Sequence, residues 1–194
     1  MRSTVRRTAR RGAVSLDLVG LLVLGGIAAG VLWPQRDPVV AQLDDDARAV
    51  VNALLDGRRA ARTAAKPLLV EVDQQARIVR VAVDRDGDGR VVRPEIVDEV
   101  ILADGTHFGL PESVPSRPFG AGPVEGKPMA GGTRLLRLET AERLSNPSGF
   151  YLATTRALRA GDTHDDEVLA IELAGADGAV SAWHPDAEGW TRRF

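Results

Sequence analysis

The chain contains no cysteine, few aromatic residues and only three histidines. Without cysteine it has no disulfide framework, no thiolate metal site and no cysteine nucleophile. G-x-S-x-G, H-E-x-x-H, Walker and dinucleotide-binding motifs are also missing, and His107, His164 and His184 are scattered along the sequence. We therefore expect a protein that is not an enzyme and whose fold depends on its hydrophobic core alone.

Acidic residues are missing from the first twelve positions, which contain five arginines. The rest of the chain carries 20 basic residues against 27 acidic ones, a formal charge of −7. Binding to nucleic acids and anionic membranes relies on basic patches. The charge balance therefore argues against general binding of this kind outside the N-terminal leader.

An apolar run, RRGAVSLDLVGLLVLGGIAAGVLWP, follows these arginines and is long enough to cross a bilayer as a helix. It holds a single carboxylate, Asp17, near its start. An Asp at the centre of a membrane helix costs about 2.5 to 3.5 kcal/mol, and less near an end, so Asp17 calls for a partner. A basic leader before an apolar run fits a removed signal peptide, a permanent anchor or a processed anchor.

These residues resemble the N-terminus of type IV pilins and of the pseudopilins of type II secretion. In that family a basic leader ends in Gly, the chain is cut after it, an acid is the fifth mature residue, and a Pro is commonly the twenty-second. Here these positions are Gly12, Ala13 as the first mature residue, Asp17 and Pro34. The resemblance implies cleavage by a prepilin peptidase and a filament in which Asp17 meets the amino terminus of a neighbouring subunit. Asp17 stands where the family usually has Glu, and Ala13 where it usually has Phe.

An amphipathic pattern covers the next segment. Apolar residues recur every three to four positions from Val40 to Leu55, while aspartates and arginines occupy the other faces. The pattern predicts a helix over residues 35–66, interrupted near Pro34 and Pro38 and ended by Pro67. Together with the membrane segment, residues 13–34, it would form one long N-terminal helix.

Short runs rich in Val, Ile and Leu dominate the chain after Pro67, with Asp/Gly turns between them. They predict a head of antiparallel strands over residues 67–194, with an exposed loop at 109–132. The fold class is therefore α+β, a long N-terminal helix packed on an antiparallel β-sheet head. A basic leader at 1–12, this helix and a β head resemble the GspH/FimT branch of the family.

The stretch DRDGDGRVVRPE matches the calcium-loop pattern D-x-[DN]-x-[DN]-G-x5-E in full. The implied ligands are Asp84, Asp86, Asp88, the Arg90 carbonyl and Glu95. The flanking sequence reads as strand rather than the helices of an EF-hand, so a solvated β-turn is the alternative. The polar segment 163–167, THDDE, offers a second metal-binding pattern, with a solvated loop as its alternative.

The C-terminus, GWTRRF, places Trp190 beside Arg192 and Arg193. An aromatic surface next to two cations can stack on a base and contact phosphates, and some minor pilins of the FimT kind are implicated in DNA uptake through C-terminal basic residues. An amphipathic end strand or a frayed tail is the alternative.

The function expected from the resemblance is that of a minor pseudopilin or pilin, working with a prepilin peptidase and other filament subunits. It would be a single-pass protein of the inner membrane, with its arginine-rich end in the cytoplasm and its head outside. Calcium is the cofactor that the sequence suggests. The alternatives are an anchored or secreted β-domain that binds calcium or a ligand without assembling, and a DNA-binding pilin of a competence system.

Overall fold

The computed structural model describes residues 37–116, 127–128, 133–138, 148–160, 165–173 and 179–194. The leader, the apolar segment 13–34 and therefore Gly12, Ala13, Asp17 and Pro34 lie outside the described residues. Among the described residues, no helix combines the length and the apolar character needed to cross a bilayer.

Helix α1, Pro38–Ala64, opens the described part of the chain. Pro38 lies in its first turn, where the missing N–H costs nothing, and Asp37 caps it by accepting a 2.9 Å hydrogen bond from the Val39 N–H. Ala65, the residue after the helix, has a left-handed backbone conformation and caps the C-terminal end. The Lys66 N–H donates a hydrogen bond to the Ala61 carbonyl. The described helix therefore begins at Pro38, which the sequence pattern treated as an interruption within residues 35–66, and it ends two residues before the predicted end.

The described residues of the head include ten strands that pair antiparallel and form two five-stranded sheets. Sheet A has the order β3-β2-β1-β6-β5 and sheet B the order β10-β9-β8-β7-β4. The strands are β1 Leu68–Asp73, β2 Ile78–Val83, β3 Ile96–Ile101, β4 Thr106–Phe108, β5 Lys127–Pro128, β6 Thr133–Leu138, β7 Ser148–Thr154, β8 Val168–Leu173, β9 Val180–Asp186 and β10 Gly189–Arg192. A short helix α2, Thr155–Ala160, follows β7. The predicted α+β class with an antiparallel head is confirmed, but the strands form two sheets rather than one.

Helix α1 and one face of each sheet share a single core. The helix contributes the face that the apolar pattern predicted, including Leu43, Val50 and Leu54, all fully buried. Alternate residues of the strands complete it: Val70, Val72, Val79, Val81, Phe150, Leu152, Leu169 and Ile171. Burying one helix stripe and two sheet faces together is the main stabilising contribution to the head.

Helix α1 lies close against sheet A at Gly57. A Cβ added there would collide with the side chain of Val81 and lie 3.0 Å from Leu68 Cδ1. Glycine is the residue that permits this spacing, because it has no side chain between the helix and the sheet.

The segment 109–132, predicted to be an exposed loop, begins differently in the structure. Pro111 and Val114 are buried, and Leu110 packs with Trp190 against sheet B. The carbonyl of Pro115 accepts a 3.0 Å hydrogen bond from the Trp190 indole N–H. Residues 127–128 pair with β6 as strand β5. Apolar side chains at 110–114 explain the difference, because they cover the face of sheet B that points away from α1.

Candidate functional site

The connection between β2 and β3 contains the calcium-loop motif. Asp84 follows the last residue of β2, and Glu95 precedes the first residue of β3. The two strands pair antiparallel, with a register irregularity at Val81 and Ala82, so the motif is the loop of a hairpin. Strands flank it, as the sequence predicted, in place of the two helices of an EF-hand.

Three aspartates of this loop converge. One carboxylate oxygen each from Asp84, Asp86 and Asp88 lies within 4.8 Å of the others. Oxygens bound to one Ca²⁺ at 2.3 to 2.6 Å can be at most about 5.2 Å apart, so this spacing is compatible with a shared ion. Asp84 is fully buried, whereas Asp86 and Asp88 are exposed. The loop thus offers one buried and two exposed carboxylate groups to a cation.

Backbone hydrogen bonds determine how the aspartates point. Asp84 accepts from the Gly87 N–H at 2.8 Å, Asp86 from the Asp88 N–H at 3.0 Å, and Asp88 from the Arg90 N–H at 2.8 Å. Such turns suit Asp because its short side chain reaches the backbone two or three residues on. Gly87 and Gly89 have φ values of +85° and +72°, which residues with a side chain rarely adopt.

Glu95 closes the loop from its far end. It belongs to the 3-10 turn Arg93–Glu95, where Pro94 is accommodated because that position needs no N–H donor. Its Oε1 accepts hydrogen bonds from the N–H groups of Arg85 at 2.6 Å and Asp86 at 3.3 Å. Its Oε2 is buried and has no hydrogen-bond partner among the described residues. The structure therefore brings Glu95 to the loop, but not into the cluster of the three aspartates.

The loop also touches the end of α1. The Asp84 N–H donates a 3.0 Å hydrogen bond to the carbonyl of Pro67, the residue between the helix and β1. This main-chain bond places the start of the loop beside the connection between the helix and sheet A.

The second predicted metal-binding segment is only partly described. Thr163 and His164 lie outside the described residues, and Asp165–Glu167 forms a 3-10 turn. Glu167 is buried, forms an ion pair with Arg156 and accepts a 3.2 Å hydrogen bond from the Thr154 hydroxyl. Its carboxylate is therefore already engaged within the protein.

The C-terminal residues are placed on different surfaces. Trp190, on β10, packs against Tyr151 with ring centroids 5.9 Å apart. Arg193 reaches the other side of sheet B and donates a 2.8 Å hydrogen bond to Asp44 of α1. Arg192 is exposed. Arg193 is therefore directed away from Trp190, and residues 189–192 form the strand β10 at the edge of sheet B.

The two described histidines also lie apart. His107 on β4 is 3.0 Å from the Thr155 hydroxyl, and His184 lies on β9.

No protein-family model, curated protein or solved structure matches the chain. A function can therefore be inferred only from the geometry of the head and from the N-terminal sequence.

Proposed function

We propose that the chain is a minor subunit of a type IV pilin-like filament, either a type II secretion pseudopilus or a type IV pilus. The observation that carries the proposal is the register of Gly12, Ala13, Asp17 and Pro34 in the N-terminal sequence. With this spacing, a cleavage site, a new amino terminus, a buried acid and a helix-interrupting proline would lie where filament assembly would use them.

The head supports the proposal by its construction. A 27-residue amphipathic helix comes directly after the apolar segment in the sequence, and it packs along antiparallel sheets. A subunit of this kind needs a rigid link between the membrane segment and the head. Helix α1 would be the part of such a link that lies in the head, because its buried face belongs to the central core.

Asp17 has a defined role in this proposal. Cleavage after Gly12 would create a positively charged amino group at Ala13. Inside a bundle of apolar helices, that amino group on one subunit and the Asp17 carboxylate on its neighbour would neutralise each other, whereas either charge alone is costly. Asp17 would thus favour assembly, because its carboxylate would have no counter-charge in an unassembled chain.

Cleavage can be tested by coexpressing the full chain with a prepilin peptidase and measuring its intact mass and N-terminal peptide. We expect a mature chain beginning at Ala13 that Gly12→Val abolishes. Gly20→Val, a matched substitution within the apolar run, leaves cleavage unchanged. An uncut wild-type chain, or one cut near Ala29 or Ala41, would contradict the proposal and favour an anchored or secreted domain.

Assembly can be tested separately with variants of Asp17. In membranes that contain the peptidase and the other filament subunits, Asp17→Glu retains co-purification with those subunits and Asp17→Asn loses it. Equal co-purification of the three chains would remove the charge-pairing role of Asp17. This result would leave the cleavage test unaffected.

A further inference from the structure

The loop between β2 and β3 has one feature that internal hydrogen bonds do not explain. Glu95 is only 5% exposed, and its Oε2 lacks a hydrogen-bond partner among the described residues. Within those residues Glu95 also forms no ion pair with a basic side chain. A buried carboxylate oxygen without a donor is costly, and such an atom calls for an ion or a water.

The Glu95 carboxylate points into the loop that carries the aspartates. Its Oε1 is bonded to the N–H of Arg85 and of Asp86, so the group lies against the first residues of the motif. The unsatisfied Oε2 of Glu95 and the three converging aspartate oxygens are independent observations in the same loop, although Glu95 lies outside the three-aspartate cluster. We propose that residues 84–95 form a Ca²⁺ site that Glu95 closes through Oε2.

The oxygen ligands of the loop indicate which cation the site would bind. Asp84, Asp86, Asp88 and Glu95 offer carboxylate oxygens, and the Arg90 carbonyl occupies the seventh position of the motif. Oxygen ligands alone suit hard cations, whereas Zn²⁺ and other transition metals favour imidazole or thiolate ligands. A flexible loop with several carboxylates fits Ca²⁺ better than Mg²⁺, which requires strict octahedral geometry at 2.0 to 2.1 Å.

The position of the site gives it a structural effect. Asp84 and Glu95 are the residues next to the facing ends of β2 and β3, so a shared ion would join the two strand ends across a long hairpin loop. The hydrogen bond from Asp84 to Pro67 extends this link to the end of α1. Calcium would therefore stabilise the corner at which the helix enters sheet A. This inference does not depend on the filament proposal.

The charge of the loop sets the expected affinity. Arg85, Arg90 and Arg93 are exposed within the same twelve residues and offset part of the carboxylate charge. We therefore expect a dissociation constant on the order of 10⁻⁴ to 10⁻³ M, the range of extracellular calcium modules. Such a site is filled outside the cell and empty at cytosolic calcium levels.

Calcium titration of the full chain in detergent, after treatment with EDTA, tests the proposal by calorimetry. We expect one site and a melting temperature that rises by a few degrees at about ten times the dissociation constant. No heat at about 5 mM CaCl₂ with an unchanged melting temperature would overturn the proposal. Equal affinity for Mg²⁺ would overturn the assignment to calcium.

Two amide substitutions separate the ligand role from the structural role. Glu95→Gln and Asp86→Asn keep an oxygen that can accept the loop hydrogen bonds but remove the charge. We expect each to weaken calcium binding at least about tenfold and to change the melting temperature without calcium only slightly. The control is Asp98→Asn, an exposed acid of β3 outside the cluster, which leaves binding unchanged. If all three variants bind calcium as the wild type does, the ion lies elsewhere and the proposal fails.

Discussion

Arg193 donates a 2.8 Å hydrogen bond from Nη2 to Oδ2 of Asp44, and so joins the C-terminus to helix α1. The Asp44 side chain is buried, whereas the Arg193 side chain is one quarter exposed. The neighbouring Phe194 continues the contact, because its carbonyl accepts from the Ala182 N–H and its ring lies under the Arg48 guanidinium. The last two residues are therefore part of the folded head.

Replacing Arg193 should destabilise the head because it leaves a buried carboxylate without this partner. We expect Arg193→Ala to lower the free energy of unfolding by about 1 to 3 kcal/mol. Urea denaturation followed by tryptophan fluorescence measures the change. Arg192→Ala, an exposed neighbour of the same charge, should stay within about 0.5 kcal/mol of wild type. Equal losses in the two variants would show that the Asp44 contact contributes nothing specific.

The variant Arg192→Ala also tests the nucleic-acid alternative. Because Arg193 is engaged with Asp44, we expect the chain without the basic leader, residues 13–194, to give no gel shift with single-stranded DNA at low salt, and Arg192→Ala to make no difference. A shift that Arg192→Ala abolishes, with the fold intact by circular dichroism, would instead support a DNA-binding pilin.

Arg156 joins α2 to two carboxylates, Asp37 at the start of α1 and the buried Glu167. Hydrogen bonds to Glu167, then to Asp37, raise the pKa of Arg156 above its ordinary value. We expect Arg156→Met to lower the denaturation midpoint of the head, because Glu167 would stay buried without a counter-charge. Arg159→Met, at an exposed position of the same helix, is the control, and denaturation midpoints compare the two. If Arg159→Met lowers the denaturation midpoint as much as Arg156→Met does, the ion pairs of Arg156 do not have this stabilising role.

The cap of α1 should depend on pH. The hydrogen bond from the Val39 N–H, and then the one from Arg156, lower the pKa of Asp37 below its ordinary value of 3.8. A lowered folded-state pKa means that the stabilisation is complete above that ordinary value and is lost as the pH falls through the folded-state pKa. We therefore expect wild type to have a higher denaturation midpoint than Asp37→Asn at pH 7, and the difference to vanish in strong acid.

Urea denaturation of the two chains at a series of pH values tests this dependence. Asn retains an oxygen that can cap the helix, so the comparison isolates the charge. A difference between the chains that is the same at every pH would contradict the role of the Asp37 charge.

Gly57→Ala should be destabilising even though Ala is the better helix former by about 1 kcal/mol. The new methyl group would meet Val81 of sheet A, and such overpacking costs about 1 to 3 kcal/mol. Adding Val81→Ala should recover part of the loss, because it removes the colliding side chain. A double-mutant cycle on the free energies of unfolding measures this coupling, and strict additivity would show that the helix moves away from the sheet at little cost.

Local sequence pattern determined much of the head. The period of the apolar residues predicted the buried face of α1, and Pro67 indicated where it ends, because backbone sterics act within a few residues. Strands β1, β2 and β8, among others, lie in runs rich in Val, Ile and Leu. The loop motif also gave the three aspartates that the fold brings together, because they lie close in sequence.

Tertiary structure alone decided which strands share a sheet and where the charged residues of α1 lie. Asp44 and Asp46 belong to the predicted polar faces, yet both are buried, since Arg193 and the Ala103 N–H satisfy them from far along the chain. Strands β4 and β5 are too short to leave a periodic pattern, and their pairing depends on neighbours. Helix periods and turns come from contacts a few residues apart, whereas sheet membership and buried charges come from partners that only the folded chain brings close.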